Sequence, residues 1–70
     1  MKIPQYDIFS GRADKYAEWL EVVEGLGAAV DKMNEHAVQS PGRYFVFCSN
    51  THAVLASIRN SAVAAGYGNH

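Results

Sequence analysis

The fold of this chain is decided by a run of six strand-forming residues that follows a helix-breaking pair: Arg43-Tyr44-Phe45-Val46-Phe47-Cys48. Aromatic and β-branched side chains of this kind are typical of a strand. The turn-forming residues Ser49-Asn50-Thr51 come next, and a second apolar run spans 53–58. Two such runs around a short turn predict an antiparallel hairpin over 43–58.

Upstream of this hairpin the sequence predicts one helix, over residues 26–39. Its apolar residues recur every three to four positions, and Pro41-Gly42 ends the pattern because proline cannot continue a helix. The stripe expected to face the sheet comprises Leu26, Ala29, Val30, Met33 and Ala37. We expect Met33 to lie in the core beside Leu26, Val30 and Phe47.

The segment before this helix has two readings. Trp19 and two adjacent valines favour a strand over 17–23, after a first strand over 6–10. The apolar spacing also fits one long helix over 14–39, although Gly25 and Gly27 would then cost about 1 kcal/mol each in a helix interior. The favoured reading is an α+β fold, an antiparallel sheet with one helix packed on one face, in the order β-β-α-β-β. The alternative is β-α-β-β with the long helix 14–39.

Length and composition limit what the chain can do. Seventy residues predict a single domain over 1–59, and the segment 60–70, which has no Lys, Arg, Asp or Glu, predicts a flexible C-terminal tail. A net charge of −1 gives no attraction for a nucleic-acid backbone or an anionic membrane, so neither is an expected partner. The single cysteine excludes an internal disulfide, and Pro4, Gln5 and Asp7 interrupt any secretory signal, which predicts a cytoplasmic protein.

Two strings of the sequence are distinctive: Trp19-Leu20-Glu21-x-Val23-Glu24-Gly25-Leu26 and Pro41-Gly42-x-Tyr44-Phe45-Val46-Phe47. With these strings, and with Tyr6-x-Ile8-Phe9 before them, the chain resembles short uncharacterised bacterial proteins of unknown function. The similarity spans roughly residues 6–58. The resemblance implies a small bacterial domain with the ββαββ pattern. It implies no activity and no functional residue, because the strings match no catalytic motif.

Cys48 and His52 flank the predicted turn, where a thiol and an imidazole can meet. An imidazole that lowers the pKa of a thiol makes a nucleophile, so this pair is the candidate catalytic site of a small enzyme or ligand-binding domain. A strand-end cysteine packed as a small apolar residue, beside a solvated histidine, is the simpler reading. Adding His36 and His70 gives too few suitably spaced ligands for zinc, and the sequence predicts no metal site and no cofactor.

Both faces of the predicted hairpin are apolar, which is unusual for an antiparallel sheet that carries one helix. We assign Phe45, Phe47 and Val54 to the helix side. The other set is Tyr44, Val46 and Leu55, and we expect it to form the interface of a homodimer. Alternation alone also allows the opposite assignment. The favoured function is a small non-enzymatic binding or interaction module that self-associates; the alternative is the enzyme or ligand-binding domain that uses the thiol and imidazole.

Overall fold

The computed structural model describes residues 3–60, and within this range it contains four strands and one helix. The elements are β1 (Gln5–Ser10), β2 (Glu18–Glu24), α1 (Leu26–Gln39), β3 (Gly42–Cys48) and β4 (Ala53–Asn60). The α+β class and the β-β-α-β-β order are confirmed, and the long helix 14–39 is excluded because β2 occupies part of it. The predicted tail lies outside the described residues apart from Asn60, which ends β4.

All strand pairs of the sheet are antiparallel, and the strand order is β2-β1-β3-β4. β1 and β2 form one hairpin, and β3 and β4 form the other. The central pair joins the two hairpins, with Ile8 opposite Val46 and Phe9 opposite Phe45. The helix connects β2 to β3 and contacts all four strands, so it covers one face of the sheet.

The helix begins where Gly25 turns the chain at the end of β2. This residue has a φ of 89°, a left-handed conformation that glycine adopts without the strain of a side chain. Its N–H donates to the Pro4 carbonyl at 2.8 Å, and its carbonyl accepts the Ala29 N–H at 3.0 Å. This turn ends the strand and starts the helix, which is why the helical spacing upstream does not form a longer helix.

The other end of the helix is held by two side chains of the sheet. The Tyr44 hydroxyl donates to the Ser40 carbonyl at 2.6 Å, and the Asn60 side-chain amide donates to the Ala37 carbonyl at 2.7 Å. The last carbonyls of a helix have no partner within the helix. These two bonds therefore satisfy one carbonyl in the last turn of the helix and one at its C-cap, and they fix the helix to β3 and β4.

The core lies between the helix and the two central strands. Its buried cluster comprises Ala29, Met33 and Ala37 of the helix and Ile8, Tyr44 and Val46 of the sheet. The two alanines allow the helix to approach the sheet closely, and Met33 fills the space between them. The predicted core position of Met33 is confirmed, and Val30 packs beside it. Leu26 is exposed, so the first turn of the predicted stripe is wrong.

The structure assigns the two faces of the second hairpin in the opposite way to our first assignment. Tyr44 and Val46, two of the predicted interface residues, lie beneath the helix with 7 % and 0 % of their surface exposed. A partner cannot reach them. Phe45 and Phe47 lie on the face away from the helix, so the expected contact between Met33 and Phe47 is also wrong.

Packing on each face explains this arrangement. The Phe45 ring stacks on the Phe9 ring of the neighbouring strand, on the face opposite the helix. On the helix face the central pair is aliphatic, Ile8 opposite Val46, and it leaves room for the helix backbone. The Tyr44 hydroxyl finds its acceptor at the helix end on that same face. Alternation identifies the two sets of side chains, but these contacts decide which set meets the helix.

Each outer strand contains one residue that the pairing skips, and this changes which side chains share a face. In β2 the pairs pass from Glu21 opposite Ile8 to Trp19 opposite Phe9, so Leu20 is extra. Trp19 and Glu21 therefore lie on opposite faces, where simple alternation predicts one face. In β4 the pairing skips Leu55 in the same way. This third predicted interface residue is exposed.

Candidate functional site: the open face of the sheet

The face of the sheet opposite the helix, here called the open face, carries a broad apolar surface. Residues paired directly across strands share a face, so the pairing defines its members. Two rows lie at its centre: Trp19, Phe9, Phe45 and the exposed Ser57 in the first, and Val22, Asp7, Phe47 and Val54 in the second. Trp19, Val22 and Val54 are 57 %, 48 % and 45 % exposed. Large apolar side chains on the outer strands therefore face solvent.

Three phenylalanine rings form the centre of the open face. Phe9 and Phe45 are stacked, with ring centroids 5.1 Å apart and planes 7° from parallel. Phe47 packs edge to face against Phe9, with ring centroids 6.0 Å apart and an angle of 90° between the planes. Both geometries are favourable for aromatic pairs. The three rings therefore form one packed aromatic cluster at the centre of this face.

Asp7 is the one carboxylate among the paired residues of the two rows, and it holds the indole of Trp19. The indole Nε1–H donates to the Asp7 carboxylate at 3.2 Å. This bond fixes the orientation of the largest exposed side chain on the open face. It also gives the indole its polar partner, so that the exposed surface of Trp19 is chiefly the apolar part of the ring.

A cleft of about 330 Å³ opens on this face beside the three rings. The connection between β1 and β2 forms one wall through Ala13, Asp14 and Ala17. Val54 and His52 contribute to the other side. The phenylalanine rings therefore lie at the base of a cleft between the β1–β2 connection and Val54, a shape that accepts an apolar side chain from a partner.

The structure does not bring Cys48 and His52 together as a catalytic pair. The His52 ring is perpendicular to the Phe47 ring, with ring centroids 6.2 Å apart and an angle of 89° between the planes. It therefore lies on the open side of the sheet. Cys48 follows Phe47 in β3, so its side chain points to the opposite face. His52 also has a φ of 58°, which reflects its place in the tight loop between β3 and β4.

Thr51, rather than His52, sets the environment of the Cys48 thiol. Hydrogen bonds from the Thr51 side chain, and then from its backbone, lower the pKa of Cys48 below its usual value. Partial burial and the charge of Asp7 oppose this shift. The thiol is therefore more easily ionised than an ordinary cysteine, and His52 is not among the groups that shift its pKa.

We expect the rate of Cys48 alkylation by iodoacetamide to titrate at a lower pH than that of a cysteine in an unstructured peptide. A lowered pKa means that the thiolate, the reactive form, is populated at lower pH. Thr51→Val removes the side-chain hydrogen bond, so the titration should move to higher pH, whereas His52→Ala should leave it in place. If His52→Ala shifted the titration of the alkylation rate and Thr51→Val did not, the thiol would be activated by His52, as the Cys–His pair requires.

His36 lies on the helix face, where Glu21 and Tyr44 surround it. Its Nε2 is 2.6 Å from the Glu21 carboxylate, and its ring lies 6.0 Å from the Tyr44 ring. Within residues 3–60 no group of three or more His, Cys, Asp or Glu residues is arranged to hold a metal ion. His70 lies outside that range. The helix over 26–39, the only one that the structure describes, is too short to cross a membrane.

Sequence reasoning missed three residues of the open face: Phe9, Trp19 and Val22. Their place depends on the pairing of β1 with β3, which joins distant parts of the chain. The sequence does carry one signal, the alternation of Tyr6 and Ile8 with Asp7 and Phe9 in β1. That pattern separates two faces of one strand, but it does not identify the neighbouring strand.

The two rows of the open face define the side chains that a partner can contact. They present two exposed valines and a fixed indole around the phenylalanine rings, of which Phe45 is 5 % exposed. Comparisons of this chain with protein-family models, with curated proteins and with solved structures found no match.

Proposed function

We propose that this chain is a small non-enzymatic interaction module that self-associates through the open face. The observation that carries the proposal is the exposed apolar surface of Trp19, Val22 and Val54 around the packed phenylalanine rings. Apolar patches of this extent on a small domain mark sites of association. The interface residues differ from those expected at first, since Tyr44 and Val46 belong to the core.

A second copy of the chain fits this face in size. Four strands at about 4.8 Å and some six residues at about 3.3 Å give a plane of roughly 400 Å². The relief of the side chains adds to this, so two such faces would bury on the order of 1,000 Å² in total. This area is at the lower limit for a specific interface. We therefore propose a weak, reversible homodimer with a micromolar dissociation constant.

The arrangement of the open face also suits two-fold symmetry. In a symmetric pair each copy contributes the same patch. A two-fold axis roughly along the central strands lays β2 of one copy over β4 of the other, within the usual angle of aligned sheets. Trp19 and Val22 are on β2, and Val54 is on β4, so exposed apolar side chains from both edges would meet across the phenylalanine rings.

A pair of matched substitutions tests self-association. Val22→Arg puts a charge in the proposed interface, whereas Val38→Arg puts the same charge on the solvent side of the helix, where Val38 is 78 % exposed. We expect the mass of the unmodified protein, measured by sedimentation equilibrium, to rise from one copy of 7.7 kDa towards two copies with concentration. Val22→Arg should remain a single copy because a desolvated, unpaired charge opposes association.

Val38→Arg is the control and should match the unmodified protein at every concentration. The series runs from about 10 µM to about 500 µM, which brackets the affinity of a weak interface. An unmodified protein that stays at the mass of one copy throughout would refute the proposal. So would a Val22→Arg variant that associates as strongly as the control.

We place this module, as part of the same proposal, among short bacterial cytoplasmic proteins. The support is the resemblance of the strings 19–26 and 41–47 and the presence of one free thiol, Cys48. A thiol without a disulfide partner is ordinary in a reducing compartment. The net charge of −1 gives no reason to add nucleic acid as a partner.

A further inference from the structure

We infer that the end of the open face at the start of β3 binds a small organic oxyanion, a carboxylate or phosphate carried on an apolar body. The site is a cleft lined by Arg12, Arg43 and Arg59, here called the arginine cleft. These are all the arginines in the chain, and its lysines lie elsewhere in the sequence. The inference does not require self-association, because it concerns a different chemistry at one end of the face.

The pairing of Arg43 with Arg59 is the first observation that points to an anion. The two residues lie directly opposite each other on β3 and β4. Like charges in this relation are destabilising in a sheet. Among residues 3–60 the ion pairs within 4.0 Å involve Lys32 with Glu35 and His36 with Glu21, and none involves an arginine. A bound anion between the two guanidinium groups would remove this repulsion.

The loop between β1 and β2 brings the third arginine to the same place. The Gly11 N–H donates to the Arg43 carbonyl at 2.7 Å, which ties the loop to the start of β3. Gly11 has a φ of 100°, a conformation that disfavours any side chain. Arg12 follows this anchored glycine and lines the cleft with Arg43 and Arg59. The position of the third cation therefore depends on a defined backbone contact.

The shape of the cleft indicates the size and nature of the rest of the ligand. Its volume is about 470 Å³, which is in the range of small-molecule sites. Phe45 forms part of the lining, and the Ser57 hydroxyl lies beside it in the cross-strand pair. Guanidinium groups recognise carboxylate and phosphate oxygens through paired hydrogen bonds, and Ala13 and the exposed Val54 in the lining favour an apolar body.

Three arginines that line one cleft favour a small anion over a polymer. A nucleic-acid strand needs positive charge distributed along its path, and the chain as a whole carries a net charge of −1. Glu18 and Glu24 mark the two ends of β2, at the opposite edge of the sheet. The positive charge is therefore local, as in a site for a single anionic group.

An NMR titration of the ¹⁵N-labelled protein tests the arginine cleft with defined probes. Phenyl phosphate and benzoate supply the two oxyanions on an apolar ring, inorganic phosphate supplies the anion alone, and benzamide supplies the ring without charge. We expect phenyl phosphate or benzoate to shift the amides of Arg43, Phe45, Ser57 and Arg59, with a dissociation constant of about 1 mM. Inorganic phosphate and benzamide should each bind about tenfold more weakly.

Two substitutions of Arg59 distinguish binding from folding. Arg59→Gln should weaken the binding of phenyl phosphate or benzoate about tenfold, whereas Lys32→Gln, which removes a cation from the helix surface, should leave it unchanged. Arg59→Glu places a carboxylate opposite Arg43. This variant should lose binding while its melting temperature rises, because a cross-strand repulsion becomes an attraction. Loss of binding in a more stable protein cannot come from unfolding.

Several outcomes would overturn the inference. Equal effects of Lys32→Gln and Arg59→Gln would show general electrostatic attraction instead of a site. Equal affinity for benzamide and benzoate would show an apolar cleft that does not recognise the anion. Tighter binding of a single-stranded oligonucleotide than of phenyl phosphate, with a steep salt dependence, would assign the arginines to nucleic acid. Repeating the titration with Val22→Arg keeps the result independent of self-association.

Discussion

Val46→Glu is expected to unfold the protein. Val46 has none of its surface exposed and lies between the helix, Ile8 of β1 and Ala56 of β4. A carboxylate at this position would lose its hydration without gaining a partner, at a cost of several kcal/mol. A domain of this size has a folding free energy on the order of 5 kcal/mol, so the cost consumes most of it. Circular dichroism and the dispersion of NMR amide signals measure the loss.

Val54→Glu is the matched control on the other face of the sheet. Val54 lies on β4, next to the centre of the open face, and is partly exposed. In a single copy the new carboxylate stays in water, so this variant should keep a dispersed spectrum and fail only to associate. A folded Val46→Glu variant that is merely monomeric would mean that the helix packs on the opposite face.

Met33→Ala should destabilise the protein by about 2–5 kcal/mol, the usual range for a large-to-small change in a core. Met33 is the largest side chain that the helix buries, and it lies between Ala29 and Ala37, which are too small to fill a cavity by moving. The melting temperature should fall by about 10 °C or more, since each kcal/mol shifts it several degrees in a small domain. Urea denaturation gives the free energy of unfolding directly.

Val38→Ala is the control for this measurement because Val38 lies on the solvent side of the same helix. Its effect should stay within about 0.5 kcal/mol, since alanine has the higher helix propensity and no packing is lost. Equal losses of stability for Met33→Ala and Val38→Ala would contradict the assignment of the buried stripe.

Local sequence signals were sufficient to predict the secondary structure of this chain. The helix could be predicted because Gly25 precedes it and Pro41-Gly42 follows it, and each of these signals acts within a few residues. The hairpin of β3 and β4 could be predicted for the same reason, from the turn-forming residues between two apolar runs. Such patterns need no knowledge of which strands become neighbours.

The assignment of the faces could not be predicted, because it depends on contacts between distant residues. Tyr44 and Phe45 are both aromatic, and nothing in their own strand shows which meets the helix. The answer comes from Phe9, which stacks on Phe45, and from Ser40, whose carbonyl accepts the Tyr44 hydroxyl. The candidate site depended on this choice, so the predicted interface named two core residues.

The extra residues in the outer strands were a second limit on prediction. Leu20 and Leu55 each interrupt a regular alternation, and a sequence pattern with period two gives no sign of such an interruption. The effect is local but decisive for the site. Trp19 reaches the open face, while Glu21 reaches the helix face and bonds His36.

The pairing of β1 with β3 also governs how this protein folds. Each hairpin joins residues close in sequence, and structures of that kind form within microseconds. The central pair is different, because Ile8 and Val46 are far apart in sequence. Bringing them together costs loop-closure entropy before any core contact offsets it. The β1–β3 pairing therefore carries the largest loop-closure cost in this fold, and the helix between the hairpins, packed against both, offsets part of it.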